Sequence, residues 1–273
     1  MFFFDFETLP ADPSEEELDD CNQQISDINK EADRLYHLLH SEAGFDELRK
    51  LAKTGNLKDP EKIQNKVSNF LSDFALNAKV KSEKVRAEFE KKNRKTSLNT
   101  MKCTGFIFAF AFDDSEAKAF VNKNGDLVGE LELFKEINEL GKNIKEYDEV
   151  CGHNIKCFDL PILHHRLVKY GLNFDWVPFT RYDKRIIDTQ EIWAGSDWSN
   201  KTSLKDICNY LQIQAKMELD GSMVVDEFKM GGLTKLVEYA KSDVIATREV
   251  ARRLNIYRPP PSNDVLCEYL EAL

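Results

Sequence analysis

Short apolar runs alternate along much of the chain with segments of helical spacing. The first run starts at Phe2, passes through Asp5-Phe6-Glu7 and ends at Leu9-Pro10, a pattern typical of a buried strand. The same criteria predict later strands at 105–112, 117–122, 149–152 and 186–189, with a turn at Asn124-Gly125. Helical spacing predicts helices at 131–140, 160–170, 204–211 and 233–254, and prolines 259–261 end the last of them. This alternation indicates a layered α/β domain.

Residues 13–97 show almost no strand signal. Apolar residues there recur at spacings of three and four, first on one stripe from Leu18 to Leu39 and then on a second from Ile63 to Phe74. The second helix is expected to begin at Asp59-Pro60-Glu61, after a turn at 54–56. We interpret the segment as a helical hairpin of two or three helices that packs on itself, although a dimer seam would give the same stripes.

Composition restricts the class of protein. The chain has 273 residues, 42% of them hydrophobic, and six scattered cysteines. The start MFFFDF lacks the basic region of a signal peptide, and no apolar run reaches membrane-spanning length. We therefore expect a reduced cytoplasmic protein.

The net charge of −10 argues against a protein that coats polyanions over its whole surface. The stretch 79–95 nevertheless has eight basic residues against three acidic ones, a local charge of +5. Such a run is either a solvated helix face or a phosphate-contacting surface. The candidate substrate contacts within it are Lys91, Lys92, Arg94 and Lys95.

The candidate chemistry begins with Asp5 and Glu7, which lie two apart on a strand and project from one face. Buried neighbouring carboxylates repel each other, and a cation removes that repulsion. A surface strand with two acids is the alternative. Asp159, in GHNIKCFDLP, is expected to open a helix, where it could act only as an N-cap.

Tyr239 and Asp243 are four residues apart on a long predicted helix and therefore share one face. Taken singly, they could be a packed tyrosine and a solvent-facing acid. Four acids that converged with a tyrosine would instead suit a pair of divalent cations.

These motifs, in this order, resemble the DEDD superfamily of 3′-5′ exonucleases in its tyrosine-bearing (DEDDy) branch. The resemblance covers residues 1–10 and about 100–256. GHNIKCFDLPIL, IIDT, LDGSMV and YAKSDVIATREV look closest to stand-alone exonucleases related to the proofreading domain of family B DNA polymerases. The resemblance implies an RNase H-like fold, with a mixed five-stranded sheet flanked by helices and FDFET at its centre. The exonuclease domain would span 1–12 and 98–273, interrupted by a helical subdomain at 13–97.

The resemblance also implies roles by position. Asp5, Glu7, Asp159 and Asp243 would hold two Mg²⁺ or Mn²⁺ ions about 4 Å apart, and Tyr239 would orient the attacking water. The substrate-binding positions would be Thr8 and Leu9 at the terminal nucleotide, with Asn154 and Phe158 at the next one.

The expected reaction is hydrolysis of single-stranded DNA from a free 3′ end to 5′-mononucleotides. An exoribonuclease like RNase D is an alternative, although no helical RNA-binding domain is seen after residue 256. A binding module with a degenerate site is a second alternative, which the presence of all five core residues disfavours. Nucleic acid is the expected partner, DNA rather than RNA. The insertion could also bind a replication or repair protein or form a homodimer.

Overall fold

The structure is a computed structural model that describes most of the chain. The described residues are 1–41, 60–122, 127–145, 148–173, 175–178, 180–197, 199, 201–214, 219 and 221–258. The chain divides into two compact units, one formed by Met1–Ala11 with Lys95–Leu273 and the other by Asp12–Arg94. The turns expected at 54–56 and 124–125 and the prolines 259–261 lie outside the described residues.

The first unit is built on a five-stranded mixed sheet. Its strands are β1 (Phe2–Leu9), β2 (Thr104–Phe112), β3 (Lys118–Val121), β4 (Val150–Gly152) and β5 (Ile186–Asp188). The strand order is β3-β2-β1-β4-β5. The pairs β1–β2 and β2–β3 are antiparallel, whereas β1–β4 and β4–β5 are parallel. The expected fold class is confirmed: β1 is central, and the α/β sheet flanked by helices has the RNase H-like arrangement.

The alternation along β1 divides its side chains between two helical layers. Phe2, Phe4 and Phe6 are buried in one core, where Phe6 stacks on Phe134 with ring centroids 6.0 Å apart. Phe3 is buried in the other core. A one-residue slip of β1 would exchange its two faces and carry Asp5 and Glu7 into the phenylalanine core, so the alternation specifies the register.

Six α-helices of the described ranges belong to the first unit. They are α3 (Leu127–Gly141), α4 (Asp159–Lys169), α5 (Thr189–Ala194), α6 (Leu204–Leu211), α7 (Val224–Lys229) and α8 (Leu233–Arg253). Sequence periodicity did not predict α5 and α7, because six residues span less than two helical turns and show no repeating stripe. The longest of the six, α8, packs across β1 and β2 and buries Ala240, Val244 and Val250.

The second unit contains two long helices, α1 (Glu15–His40) and α2 (Pro60–Arg94). They run antiparallel: Cys21 near the start of α1 lies beside Phe89 near the end of α2, while Ala32 lies beside Ala75. Proline suits the first position of α2 because the amide there has no intrahelical partner. Within the described ranges, no helix of either unit combines the length and apolar character that crossing a bilayer requires.

Candidate active site

Three carboxylates from two elements meet beside the centre of the sheet. Asp5 and Glu7 project from β1 on the face that α8 covers, and Asp243 belongs to the buried stripe of α8. One oxygen from each of Asp5, Glu7 and Asp243 lies within 4.8 Å of the other two. Residues 238 positions apart in sequence are thus brought to one point by the packing of a helix on the central strand.

Asp159 reaches the same region from the other side of β1. Beyond Phe3, β1 no longer pairs with β4, so the Phe6 amide is free to donate a 2.8 Å hydrogen bond to Asp159 Oδ1. The N-cap of α4 is Phe158, which makes no side-chain cap bond. Capping by the Asp159 side chain is therefore the wrong interpretation, since the carboxylate is held against the central strand. Asp159 adjoins Asp5 closely enough for their charges to interact.

Burial and mutual repulsion make this cluster unfavourable when all of its members are charged. Burial raises the pKa of Asp5 to about 7 and that of Asp243 to about 8, with the charge of Asp5 adding to the second shift. The pKa of Glu7 is raised by burial and then by the charges of Asp5, Asp243 and Asp159. The pKa of Asp159 is raised by burial and then by Asp5, while the Phe6 amide opposes the shift.

Two oxygens of the cluster lack a polar partner in the described structure: Asp5 Oδ2 and Asp243 Oδ1 are buried and accept no hydrogen bond. A buried acceptor without a donor loses its hydration and gains nothing in return. Carboxylate oxygens are the ligands that Mg²⁺ and Mn²⁺ prefer. The donor set, the burial and the unpaired oxygens therefore fit divalent cations.

Tyr239 lies one helical turn before Asp243 on α8. Its pKa is raised by burial first and then by the charges of Asp243, Glu7 and Asp5. A hydrogen bond from its hydroxyl lowers the pKa of Asp243 and so partly opposes the effect of burial on that carboxyl. Tyr239 consequently keeps its proton at neutral pH and is available as a hydrogen-bond donor beside the carboxylates.

The predicted substrate-binding residues lie in different surroundings. Thr8 and Leu9 are buried at the end of β1, where Thr8 Oγ1 donates to the Ser97 carbonyl at 2.7 Å. Asn154 and Phe158 are half-buried in the loop between β4 and α4. Phe158 packs against the core that contains Phe6.

The basic candidates are divided between the two units. Lys91, Lys92 and Arg94 are exposed on α2 in the inserted unit. Lys95 is also exposed, but it begins a 3₁₀ helix, Lys95–Leu98, in the unit that contains the sheet.

Asp188 is not among the predicted site residues, and in the sequence it stands out only as part of the IIDT motif. Asp188 ends β5 and is the N-cap of α5, accepting hydrogen bonds from the Gln190 and Glu191 amides. The signal that could have found it is Asp188-Thr189-Gln190-Glu191, an acceptor followed three residues later by glutamate, which is the spacing of a capping box.

Residues 129–260 match a family model described as a predicted 3′-5′ exonuclease related to the exonuclease domain of PolB. The matched range includes Asp159, Tyr239 and Asp243 but not β1, which the insertion separates from the rest of the fold. Comparison with curated proteins finds no match. The family match confirms the resemblance to exonucleases related to the proofreading domain of family B DNA polymerases, and it supports a nuclease function for this α/β unit.

Proposed function

We propose that this protein is a metal-dependent 3′-5′ exonuclease that removes 5′-mononucleotides from single-stranded DNA. The observation that carries the proposal is the cluster of half-buried Asp5 and Glu7 with buried Asp243, with Asp159 beside it and two buried carboxylate oxygens left without donors. A cluster of this kind is unfavourable by itself and becomes favourable when it holds positive charge.

Asp5, Glu7, Asp159 and Asp243 would hold two Mg²⁺ or Mn²⁺ ions. Divalent cations bound there would stabilise negative charge on the scissile phosphate and lower the pKa of the attacking water. The protein contributes fixed geometry to this chemistry. Asp159 is held by the Phe6 amide, and Asp5 and Glu7 are held by the pairing of β1 with β2.

Tyr239 would orient the attacking water. Burial is the largest cause of its raised pKa and does not depend on the charges of the carboxylates, so Tyr239 would act as a protonated donor and not as a base near neutral pH. Its position one turn from Asp243 places a hydroxyl beside the carboxylates, where a positioned hydrogen bond is most effective. We therefore assign it to orientation, with proton removal left to other groups.

The terminal nucleotides would lie across the end of β1 and the loop after β4. Thr8 and Leu9 are buried, so they would shape the floor of the site and would not reach out to a base. Asn154 and Phe158 are half-buried and would contact the penultimate nucleotide. A single-stranded end suits this arrangement because both nucleotides must leave a base-paired stack.

The exposed residues Lys91, Lys92, Arg94 and Lys95 would contact phosphates upstream of the 3′ end. Such contacts are independent of base sequence and weaken with salt. The protein has a net charge of −10 and repels a polyanion over most of its surface. A local basic surface would help it to retain a long strand. The rival role for these residues is binding of a protein partner or a second copy of the chain.

The decisive experiment follows DNA and RNA oligonucleotides labelled at either end, together with circular single-stranded DNA, in Mg²⁺, Mn²⁺ or EDTA. We expect a ladder that shortens from the 3′ end of linear DNA, release of 5′-mononucleotides, no cutting of circles and no reaction in EDTA. Faster hydrolysis of RNA would replace the DNA assignment with an exoribonuclease. Cleavage of circles, or absence of any metal-dependent hydrolysis, would overturn the exonuclease assignment.

A further inference from the structure

The Asp188 carboxylate joins two segments of the molecule that are far apart in sequence. On one side it caps α5, with Oδ1 accepting from the Gln190 amide at 3.0 Å. On the other side it holds the loop between β4 and α4: Oδ1 accepts from the Asn154 amide at 3.0 Å and Oδ2 from the Lys156 amide at 3.1 Å. The side chain is only 2% exposed, so these amides are its main compensation for lost hydration.

Capping alone does not explain this arrangement. An N-cap needs one side-chain acceptor, and serine or asparagine provides it as well as aspartate does. The two loop amides donate to different oxygens of the Asp188 carboxylate. Of the common capping side chains, only an ionised carboxylate has two oxygens that both accept and neither donates. Asp188 is therefore matched to the loop in a way that a neutral cap would not be.

The loop has an unusual backbone geometry and several contacts with the start of α5. Asn154 has φ +61°, in the left-handed region, which asparagine enters more readily than most residues that have a side chain. Neighbouring contacts support the same geometry: His153 Nδ1 lies 3.0 Å from Thr189 Oγ1, and Lys156 Nζ lies 2.6 Å from Glu191 Oε2. The first residues of α5 thus contact the loop at several points and stabilise its conformation.

This loop carries Asn154 and Phe158 and leads directly into Asp159. The backbone of Asn154 is fixed by Asp188, while its side-chain amide makes no hydrogen bond within the described residues. We propose that Asp188 is a positioning residue that holds the loop so that Asn154 and Phe158 meet the penultimate nucleotide. The inference rests on the proposed exonuclease function and adds to it a residue that never touches the substrate.

The test compares Asp188→Ser, Asp188→Ala and Asp188→Asn. Serine can still cap α5 but is too short to hold the loop, alanine does neither, and asparagine keeps the Oδ1 bonds while turning an NH₂ toward the Lys156 amide. We expect serine to recover the stability that alanine loses. It should nevertheless leave KM for a single-stranded oligonucleotide raised about tenfold, with a smaller change in kcat, because ground-state positioning is impaired. Asparagine should give an intermediate KM.

A double-mutant cycle with Asn154→Ala identifies the route of the effect. If Asp188 acts through Asn154, the second substitution in the Asp188→Ser background should raise KM by less than about twofold, whereas independent effects would multiply. Mn²⁺ affinity should change less than KM, because Asp159 has its own anchor at the Phe6 amide. A wild-type KM in the serine variant would overturn the proposal, whatever the KM of the asparagine variant.

Amide hydrogen exchange at Asn154 and Lys156 separates this inference from the proposed function, because it requires no activity. Wild-type protein should protect both amides, and Asp188→Ser should lose that protection while the helices remain folded. Loss of protection with normal KM would refute the positioning role alone. Absence of hydrolysis by wild-type protein would instead refute the exonuclease assignment on which the role depends.

Discussion

Replacing Asp5 by asparagine should make the metal-free protein more stable while abolishing its activity. Asparagine preserves the shape of the side chain but removes one charge from a cluster in which burial and repulsion raise every carboxyl pKa. A residue retained for metal binding at the expense of stability behaves in this way. An acid retained for packing or for a salt bridge would show the opposite sign.

The size of the effect follows from the pKa of Asp5, which rises from 3.8 to about 7. Because the folded protein holds the Asp5 proton more tightly than the unfolded chain does, its free energy of unfolding is highest below pH 3.8. That stability is lost as the pH rises through 7. For an isolated group this shift corresponds to about 4 kcal/mol between pH 4 and pH 8. Because Asp5 shares its proton equilibrium with its neighbours and is partly exposed, we expect about 2 kcal/mol, or roughly 4–8 °C in Tm.

The assay is thermal and urea unfolding of wild type and Asp5→Asn at pH 5 and pH 8, each in EDTA and in Mn²⁺. In EDTA at pH 8 the variant should be the more stable protein, and at pH 5 the difference should shrink. Mn²⁺ should stabilise wild type by mass action and the variant much less. Glu116→Gln, which removes an exposed acid of the same unit, is the matched control and should leave stability within about 0.5 kcal/mol.

Lower stability of Asp5→Asn at pH 8 in EDTA would contradict this expectation, because it would mean that the Asp5 charge is compensated by the protein itself. Near-normal Mg²⁺-dependent hydrolysis by the variant would refute the assignment of Asp5 to the metal site.

Three further predictions test other parts of the site. Tyr239→Phe should lower kcat about 10²-fold with KM little changed, since the hydroxyl acts on water; equal turnover from pH 6 to 9 would make Tyr239 a packing residue. Protons compete with Mn²⁺ for Asp5 and Asp243. Below pH 7, the Mn²⁺ affinity measured by calorimetry should therefore fall about tenfold per pH unit for each proton that the metal displaces. A pH-independent affinity would contradict this. Neutralising Lys91, Lys92, Arg94 and Lys95 together should weaken binding of long single strands and reduce the slope of its salt dependence by about 0.7 for each phosphate that is no longer neutralised. The same substitutions should leave the hydrolysis of very short oligonucleotides unchanged. Neutralising four other exposed lysines, Lys118, Lys135, Lys142 and Lys205, provides the control. An unaltered salt slope would favour the partner or dimer role.

The elements of the site that follow from local pattern could be predicted from the sequence. Alternation along β1 places Asp5 and Glu7 on one face, and a spacing of four places Tyr239 beside Asp243 on α8. Asp159 could not be understood in this way. Its partner is the Phe6 amide, which is free only because β4 ends early beside β1.

Asp188 shows the same limit. The capping pattern is visible in the sequence, but the loop held on its other side becomes a neighbour only through the pairing of β4 with β5. For the basic residues, charge alone indicates phosphate affinity and says nothing of position. Pairwise contacts between distant segments are thus the part of the site that local periodicity does not contain.

The insertion between β1 and β2 has a consequence for how fast the sheet can form. Joining two strands across a disordered segment of 83 residues (12–94) would cost about 2 kcal/mol more entropy than joining them across ten. The antiparallel helices α1 and α2 bring the two ends of that segment together by contacts within the segment itself, and the Ala11 amide then bonds Thr96 Oγ1 at 3.0 Å. Once the helical pair has formed, the central strand meets its neighbour as if the two were joined by a short loop.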